Sequence, residues 1–226
     1  MDIRKIKNKM EQYFQDDAIV LKAEPIGEYD RRMVLLTKDH GKISAFAKGA
    51  RRQTNKLMGS TDLFCFGLFK FYAGQNSYSL VDANIKNYFG ELRSDMNGAL
   101  YGMYFLEVME YMTRENNDEE PLLKLLYQSL RALVSKDFDN RLVRAVFELK
   151  TMVLMGEFRS EIKGNYSEAA LYTVDYIVKQ RPDKLYTFGL KESVLKELID
   201  ICTDRKRTLW NHSFNSEEML KIVENN

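Results

Sequence analysis

Lys42-Ile43-Ser44-Ala45-Phe46-Ala47-Lys48-Gly49-Ala50-Arg51-Arg52 is the stretch on which the reading of this chain turns. Successive residues of a strand face opposite ways. Ile43, Ala45 and Ala47 therefore share one face, and Lys42, Ser44, Phe46 and Lys48 the other. The first face is small and apolar, as the inside of a narrow barrel requires. The second sets an aromatic ring between two lysines. A base can stack on such a ring while the ammonium groups meet phosphates, and stacking contributes about 1–3 kcal/mol per base. Gly49 allows a sharp exit from the strand. Arg51, Arg52 and Lys56 crowd the loop beyond it, where guanidinium forks can grip phosphate oxygens. A solvated basic loop with Phe46 half-buried in a barrel is the competing reading of the same residues.

Working outward, short runs rich in Val, Ile, Phe and Tyr alternate with turn residues from Ala18 to Lys86, the signature of strands and turns. Strands are expected near 18–24, 29–37, 42–48, 62–72 and 77–85. Turns fall at Pro25-Ile26-Gly27, Asp39-His40-Gly41 and Ala73-Gly74-Gln75-Asn76, with a short irregular or helical piece from Gln53 to Ser60. Five strands at this spacing predict an OB-type barrel. Arg31 and Arg32 are adjacent on the second strand and point to opposite faces, so at most one looks inward and the other extends the basic surface. Tyr72 and Tyr78 flank the hairpin at Gly74, either as further stacking surface or as ordinary cross-strand packing.

After Gly90 the apolar period becomes helical. Leu92, Met96, Ala99, Met103, Leu106 and Met109 trace one helix face. Glu119-Glu120-Pro121 opens a second helix, Asp139 caps a third that stops at Gly156, and Ser167 caps a fourth ending before Pro182. A fifth runs from about Lys191 to Arg207, and Asn215-x-x-Glu218 opens a last one. The expected organisation is α+β: a tail or short helix over 1–16, a five-stranded OB-fold barrel over 17–88 and an all-α helical domain over 89–226.

A formal charge of +1 conceals segregation. Lys38 to Lys56 carries six basic residues against one acid, and Glu91 to Glu120 two basic against eight acidic. Such a pattern points to a local footprint for a polyanion. Cys65 and Cys202 are the only cysteines and form no CxxC pair, which argues against a disulfide framework or a cysteine zinc site. The charged N-terminus and the lack of a long apolar run lead us to expect a cytoplasmic, nucleoid-associated protein with no membrane association. His40 and His212 stand in no metal-ligand spacing, and GxSxG, HExxH, P-loop and GxGxxG motifs do not occur. The acidic run Asn116-Asn117-Asp118-Glu119-Glu120 lacks EF-hand spacing and reads as an exposed loop. No enzyme, cofactor or metal is expected. Met103, Met109, Met112, Met152 and Met155 read as core filling, or else as a groove where Arg141 and Arg144 receive an acidic partner peptide.

Ala18-Ile19-Val20-Leu21-Lys22-Ala23, Gly27-Glu28-Tyr29-Asp30-Arg31-Arg32, Leu36-Thr37-Lys38-Asp39-His40-Gly41-Lys42 and Ala47-Lys48-Gly49-Ala50-Arg51-Arg52 together resemble the N-terminal signature of the RecO family. Order and spacing match across these residues. Leu80-Val81-Asp82-Ala83, the helix from Ala99 to Met112 and Phe214 to Leu220 extend a weaker likeness. The resemblance implies an OB barrel, a helical C-terminal domain, binding of single- and double-stranded DNA, and strand annealing. It further implies partnership with RecR and single-stranded-DNA-binding protein in loading RecA. By position, Lys48, Arg51 and Arg52 take the family's basic turn and are the first choice for DNA contacts, followed by Lys42, Phe46, Lys56, Arg31 and Arg32. Many RecO proteins carry a four-cysteine zinc module in the helical domain. Here Glu157 to Tyr166 holds no cysteine, so a zinc-free member is expected. The alternative to this DNA-binding mediator is a protein-interaction adaptor without a direct DNA role.

Overall fold

The alternation read in Lys42–Ala47 is present in three dimensions: Ile43, Ala45 and Ala47 are buried, while Lys42, Ser44 and Phe46 are half-exposed. This strand, β3, belongs to a barrel with β1 (Tyr13–Ile26), β2 (Asp30–Thr37), β4 (Phe66–Ala73) and β5 (Tyr78–Asn87). The computed structural model describes residues 12–158, 161–162, 164–210 and 212–224. The strand order is β1-β2-β3-β5-β4, closed on itself. β1 spans the closure. Its second half pairs with β2 and its first half with β4, with a register shift between Val20 and Lys22. A parallel contact, Ala45↔Tyr78 and Phe46↔Ser79, joins β3 to β5. This is the OB arrangement.

Small side chains set the barrel's bore. Ala18, Ala45, Ala47 and Ala50 pack with Val20, Met33, Leu35, Ile43, Phe69 and Phe71 in one core. β4 and β5 approach so closely at Gly67 that a Cβ there would stand 2.3 Å from the Asn84 carbonyl oxygen, so only glycine fits.

Two differences from the sequence reading have clear causes. β1 begins at Tyr13, so residues 13–16, expected in a tail or short helix, lie in a strand against β4. The polar pair Asp16-Asp17 disguised them. Asp16 is nevertheless buried, accepting the Asp39 N–H at 2.9 Å and lying 2.8 Å from the His40 Nδ1. Residues 1–11 of that expected tail lie outside the described residues. The single stripe from Leu92 to Met109 is also broken. α1 (Gly90–Ser94) stops at Asp95 and α2 (Met96–Met112) follows. Met96 and Met103 are exposed, while Leu106 and Met109 of the stripe are buried together with Tyr101, Tyr104, Phe105, Val108 and Met112. α2 is apolar nearly all round, so spacing alone could not choose its buried face.

The remaining helices are α3 (Glu120–Val134), α4 (Asn140–Leu154), α5 (Glu168–Lys179), α6 (Glu192–Leu209) and α7 (Asn215–Glu224). Asp139 caps α4 through the Arg141 N–H, Ser167 caps α5 through the Ala170 N–H, and Gly156 takes the left-handed position after α4.

Contacts divide the chain into two units. One holds the described residues up to Phe89 together with Leu106–Leu123. The other holds Gly90–Phe105 with the described residues from Lys124 on. In the first, the loop after α2 docks on the β2–β3 turn: the Lys42 N–H donates to the Arg114 carbonyl at 2.9 Å and the Asn116 N–H to the His40 carbonyl at 3.0 Å. Glu119, expected in an exposed loop, is buried and accepts the Arg114 N–H at 3.1 Å.

Candidate nucleic-acid interface

Arg32 and Phe46 are cross-strand partners on the outer face of β2 and β3. The Arg32 Nε donates to the Ser44 Oγ at 3.2 Å, which lays the guanidinium along the strand pair. These three residues line one side of a groove of about 570 Å³. The β4–β5 hairpin from Ala73 to Ser77, with Tyr78 and Glu115, lines the other. The Tyr78 hydroxyl donates to the Glu115 carboxylate at 3.0 Å, and partial burial followed by that carboxylate raises the phenol's pKa. Tyr78 thus presents a neutral aromatic wall.

The basic turn sits at the end of this face. Lys48 follows directly on β3, in the turn, and its side chain is exposed. Gly49 adopts φ 67°, and its N–H donates to the Asp30 Oδ1 at 2.7 Å. Asn55 reaches back to the Lys48 carbonyl at 3.2 Å. A Cβ on residue 49 would meet that Asn55 amide at 2.8 Å. Beyond the turn, the Arg51 N–H donates to the Tyr29 carbonyl at 2.9 Å, and its Nη1 donates to the Gly27 and Glu28 carbonyls at 3.2 and 3.1 Å. The Arg52 guanidinium lies 4.4 Å above the Tyr29 ring. Both arginines are therefore held against the β1–β2 turn by bonds that leave other guanidinium donors outward, since each guanidinium has five.

Oligonucleotides lie on the β2–β3 face of OB barrels, between the β1–β2 and β4–β5 loops. Here that face bears the groove, and its β1–β2 border carries the basic turn.

The expected residues separate into two groups. Lys48, Arg51, Arg52, Arg32 and Phe46 gather at the β2–β3 face and its border. Arg31 faces the other way, as the alternation requires, and its Nη1 donates to the Thr61 Oγ1 at 2.8 Å and the Asp62 Oδ1 at 2.7 Å. The Lys42 ammonium donates to the Glu110 main-chain carbonyl. Burial, then the nearby Arg114, pushes its pKa below the usual lysine value. Lys56 pairs with Asp82 at 2.8 Å. These three each meet a partner within the protein, Lys56 in an exposed pair, and so stand apart from the group at the β2–β3 face.

Tyr29 is the contributor that the sequence reading missed. Its contact with Arg52 spans two elements, and no local pattern signals it. Tyr72 resolves as packing: its ring lies 5.0 Å from that of Tyr13 and its hydroxyl donates to Gln12. Among the described residues, no helix is long and apolar enough to cross a membrane, and no group of three or more His, Cys, Asp or Glu residues is placed to hold a metal.

A closed β1-β2-β3-β5-β4 barrel followed by helices defines the class: an OB-fold protein with an appended helical region. Residues 10–89 match the family model described as "Recombination protein O N terminal", and residues 93–163 match "Recombination protein O C terminal". The chain belongs to the RecO family, whose role is in DNA repair and recombination. It is 28% identical to the DNA repair protein RecO of Acetivibrio thermocellus over 245 positions, which cover 94% of this chain and 98% of that one. The RecO of Clostridium acetobutylicum is 26% identical over 83% of this chain and 89% of its own length. That of Clostridium novyi is 33% identical, over 63% of this chain and 56% of its own length.

Proposed function

We propose that this chain is a non-catalytic recombination mediator. It binds single- and double-stranded DNA on the β2–β3 face of its barrel and anneals complementary strands. With a RecR-type partner it helps load a RecA-type recombinase onto strands covered by single-stranded-DNA-binding protein. The carrying observation is the groove between Arg32-Phe46 and the Gly74 hairpin, bordered by Lys48, Arg51 and Arg52. Phe46 and Tyr78 supply aromatic surface for unpaired bases, and the cations supply backbone contacts without sequence preference. Arg31, Lys42 and Lys56 position structure and stand outside the contact set.

Binding of a fluorescently labelled single strand, followed by anisotropy across a salt series, tests this. Each phosphate contact on a single strand contributes about −0.7 to the slope of log affinity against log salt. Contacts from Lys48, Arg51, Arg52 and Arg32 should therefore give a slope of about −3. Replacing Lys48, Arg51 and Arg52 by glutamate should weaken binding alike for unrelated sequences. Absence of binding at low salt would sink the DNA reading in favour of the adaptor. Unchanged affinity in the triple variant would move the site elsewhere.

A further inference from the structure

The helical unit holds a second cationic pocket, of about 390 Å³, among α4, α6 and α7. Its floor is electrically balanced. The buried Glu148 carboxylate accepts the Arg144 Nε at 3.0 Å, the Lys206 Nζ at 3.1 Å and the Tyr104 hydroxyl at 2.6 Å. Glu217 accepts the Arg144 Nη2 at 2.6 Å and also pairs with Lys206. Two acids thus answer two bases. At the rim, Arg141 is forked to Asp139 and Glu192. What remains is Arg207 on α6 and Lys221 on α7. Both are exposed on the pocket's lining, and among the described residues neither has an acidic partner. The buried indole of Trp210 also lines the pocket, and its N–H finds no acceptor among the described residues.

We propose that this pocket binds a phosphate monoester, with Arg207 and Lys221 as the pairing cations and the Trp210 indole as one wall. The charge fits: five bases stand against four acids here, a net +1, and Arg207 and Lys221 are the two cations with no acidic partner among the described residues to meet a group that carries about −1.5 to −2 at pH 7. The size fits a small ligand, because pockets of a few hundred Å³ enclose single small molecules or the end of a chain. Both a free phosphate or nucleotide and the 5′-phosphorylated end of a DNA strand present this chemistry.

Trp210 is the only tryptophan in the chain, so its emission reports directly on the pocket. The intact protein is titrated at constant ionic strength with inorganic phosphate, a mononucleotide, and a short strand carrying either a 5′-phosphate or a 5′-hydroxyl. A saturable change with phosphate-bearing probes, and none with the 5′-hydroxyl strand, is expected. Response to inorganic phosphate and nucleotide alone assigns a free ligand; tighter response to the 5′-phosphorylated strand assigns a strand end. The Arg207→Glu/Lys221→Glu variant should raise the half-saturating concentration by at least about tenfold, the loss expected when charge-assisted contacts are removed. For inorganic phosphate, which offers no strand to the barrel face, reversal of Lys48, Arg51 and Arg52 should leave the half-saturating concentration unchanged. Far-UV circular dichroism checks folding, and Arg207→Gln/Lys221→Gln replaces the reversal should that variant unfold. No saturable response to any phosphate probe, an equal response to the two strands, or a response only to an aspartate-rich peptide would overturn the proposal.

Discussion

Lys42 opens β3 and Lys48 follows it, and the two meet different chemistry. The Lys42 ammonium satisfies the Glu110 carbonyl, whereas the Lys48 side chain is exposed in the turn that follows β3. Lys42→Met should therefore lower stability by about 0.5–1.5 kcal/mol, the net value of a protein hydrogen bond, and leave single-strand affinity within twofold of the unsubstituted protein. Lys48→Met should do the reverse, holding stability within about 0.5 kcal/mol. It should also reduce the salt slope by about 0.7. Urea denaturation and anisotropy on the same two variants decide it, and equal affinity losses would refute the division. Gly49 makes a related point about the turn. Its left-handed φ strains any side chain there, and a Cβ would have to push aside the Asn55 amide that reaches the Lys48 carbonyl. Gly49→Ala should lose about 1–2 kcal/mol for the conformation alone. It should also weaken DNA binding, because the Lys48 carbonyl and Arg51 are both anchored through this turn.

At the scale of elements, the strands were legible and α2 was not. A strand has one apolar face every second residue, and β3 shows it without exception. Capped helices were equally plain, since Asp139 and Ser167 announce α4 and α5. α2 hides its buried side because Tyr101, Tyr104 and Phe105 compete with the methionine stripe around the same cylinder. The fate of Lys42 was illegible for another reason: its acceptor is a main-chain carbonyl 68 residues away, and carbonyls carry no residue signature. The tie among α2, α4, α6 and α7 was equally hidden. Burial alone would raise the Glu148 pKa, yet the Arg144 and Lys206 charges and the Tyr104 hydroxyl outweigh it and hold the carboxyl below its usual 4.5. A carboxyl with a depressed folded pKa contributes stability that is full above its unfolded value and lost as pH falls through the folded one. The helical unit should thus weaken progressively below about pH 4.5, read by Trp210 emission in urea. Glu148→Gln should lose about 3–5 kcal/mol at neutral pH by removing the buried charge that Arg144 and Lys206 share, leaving Glu217 alone to answer both, and should flatten that acid limb. An acid limb unchanged in slope would show that Glu148 does not carry it.

For the whole chain, the sequence suggests a border at residue 89, where strand period gives way to helix period. Contacts draw a different line, because Leu106–Leu123 belongs with the barrel. The reason is polar as well as apolar. The Lys42 N–H needs the Arg114 carbonyl, the His40 carbonyl takes the Asn116 N–H, the Lys42 ammonium takes the Glu110 carbonyl, and Tyr78 takes Glu115. Leu106, Val108, Met109 and Met112 are buried within the same segment. A fragment ending at Phe89 keeps all five strands and loses those four hydrogen bonds, together with one edge of the groove. At about 0.5–1.5 kcal/mol for each bond, it should be roughly 2–6 kcal/mol less stable than a fragment ending at Leu123, before any apolar loss is counted. Urea midpoints followed by far-UV circular dichroism compare the two. The shorter fragment should also bind single strands more weakly, since Tyr78 loses the carboxylate that orients it. Equal midpoints and equal affinities would show that the barrel is complete at residue 89 and that the α2 segment only rests on it.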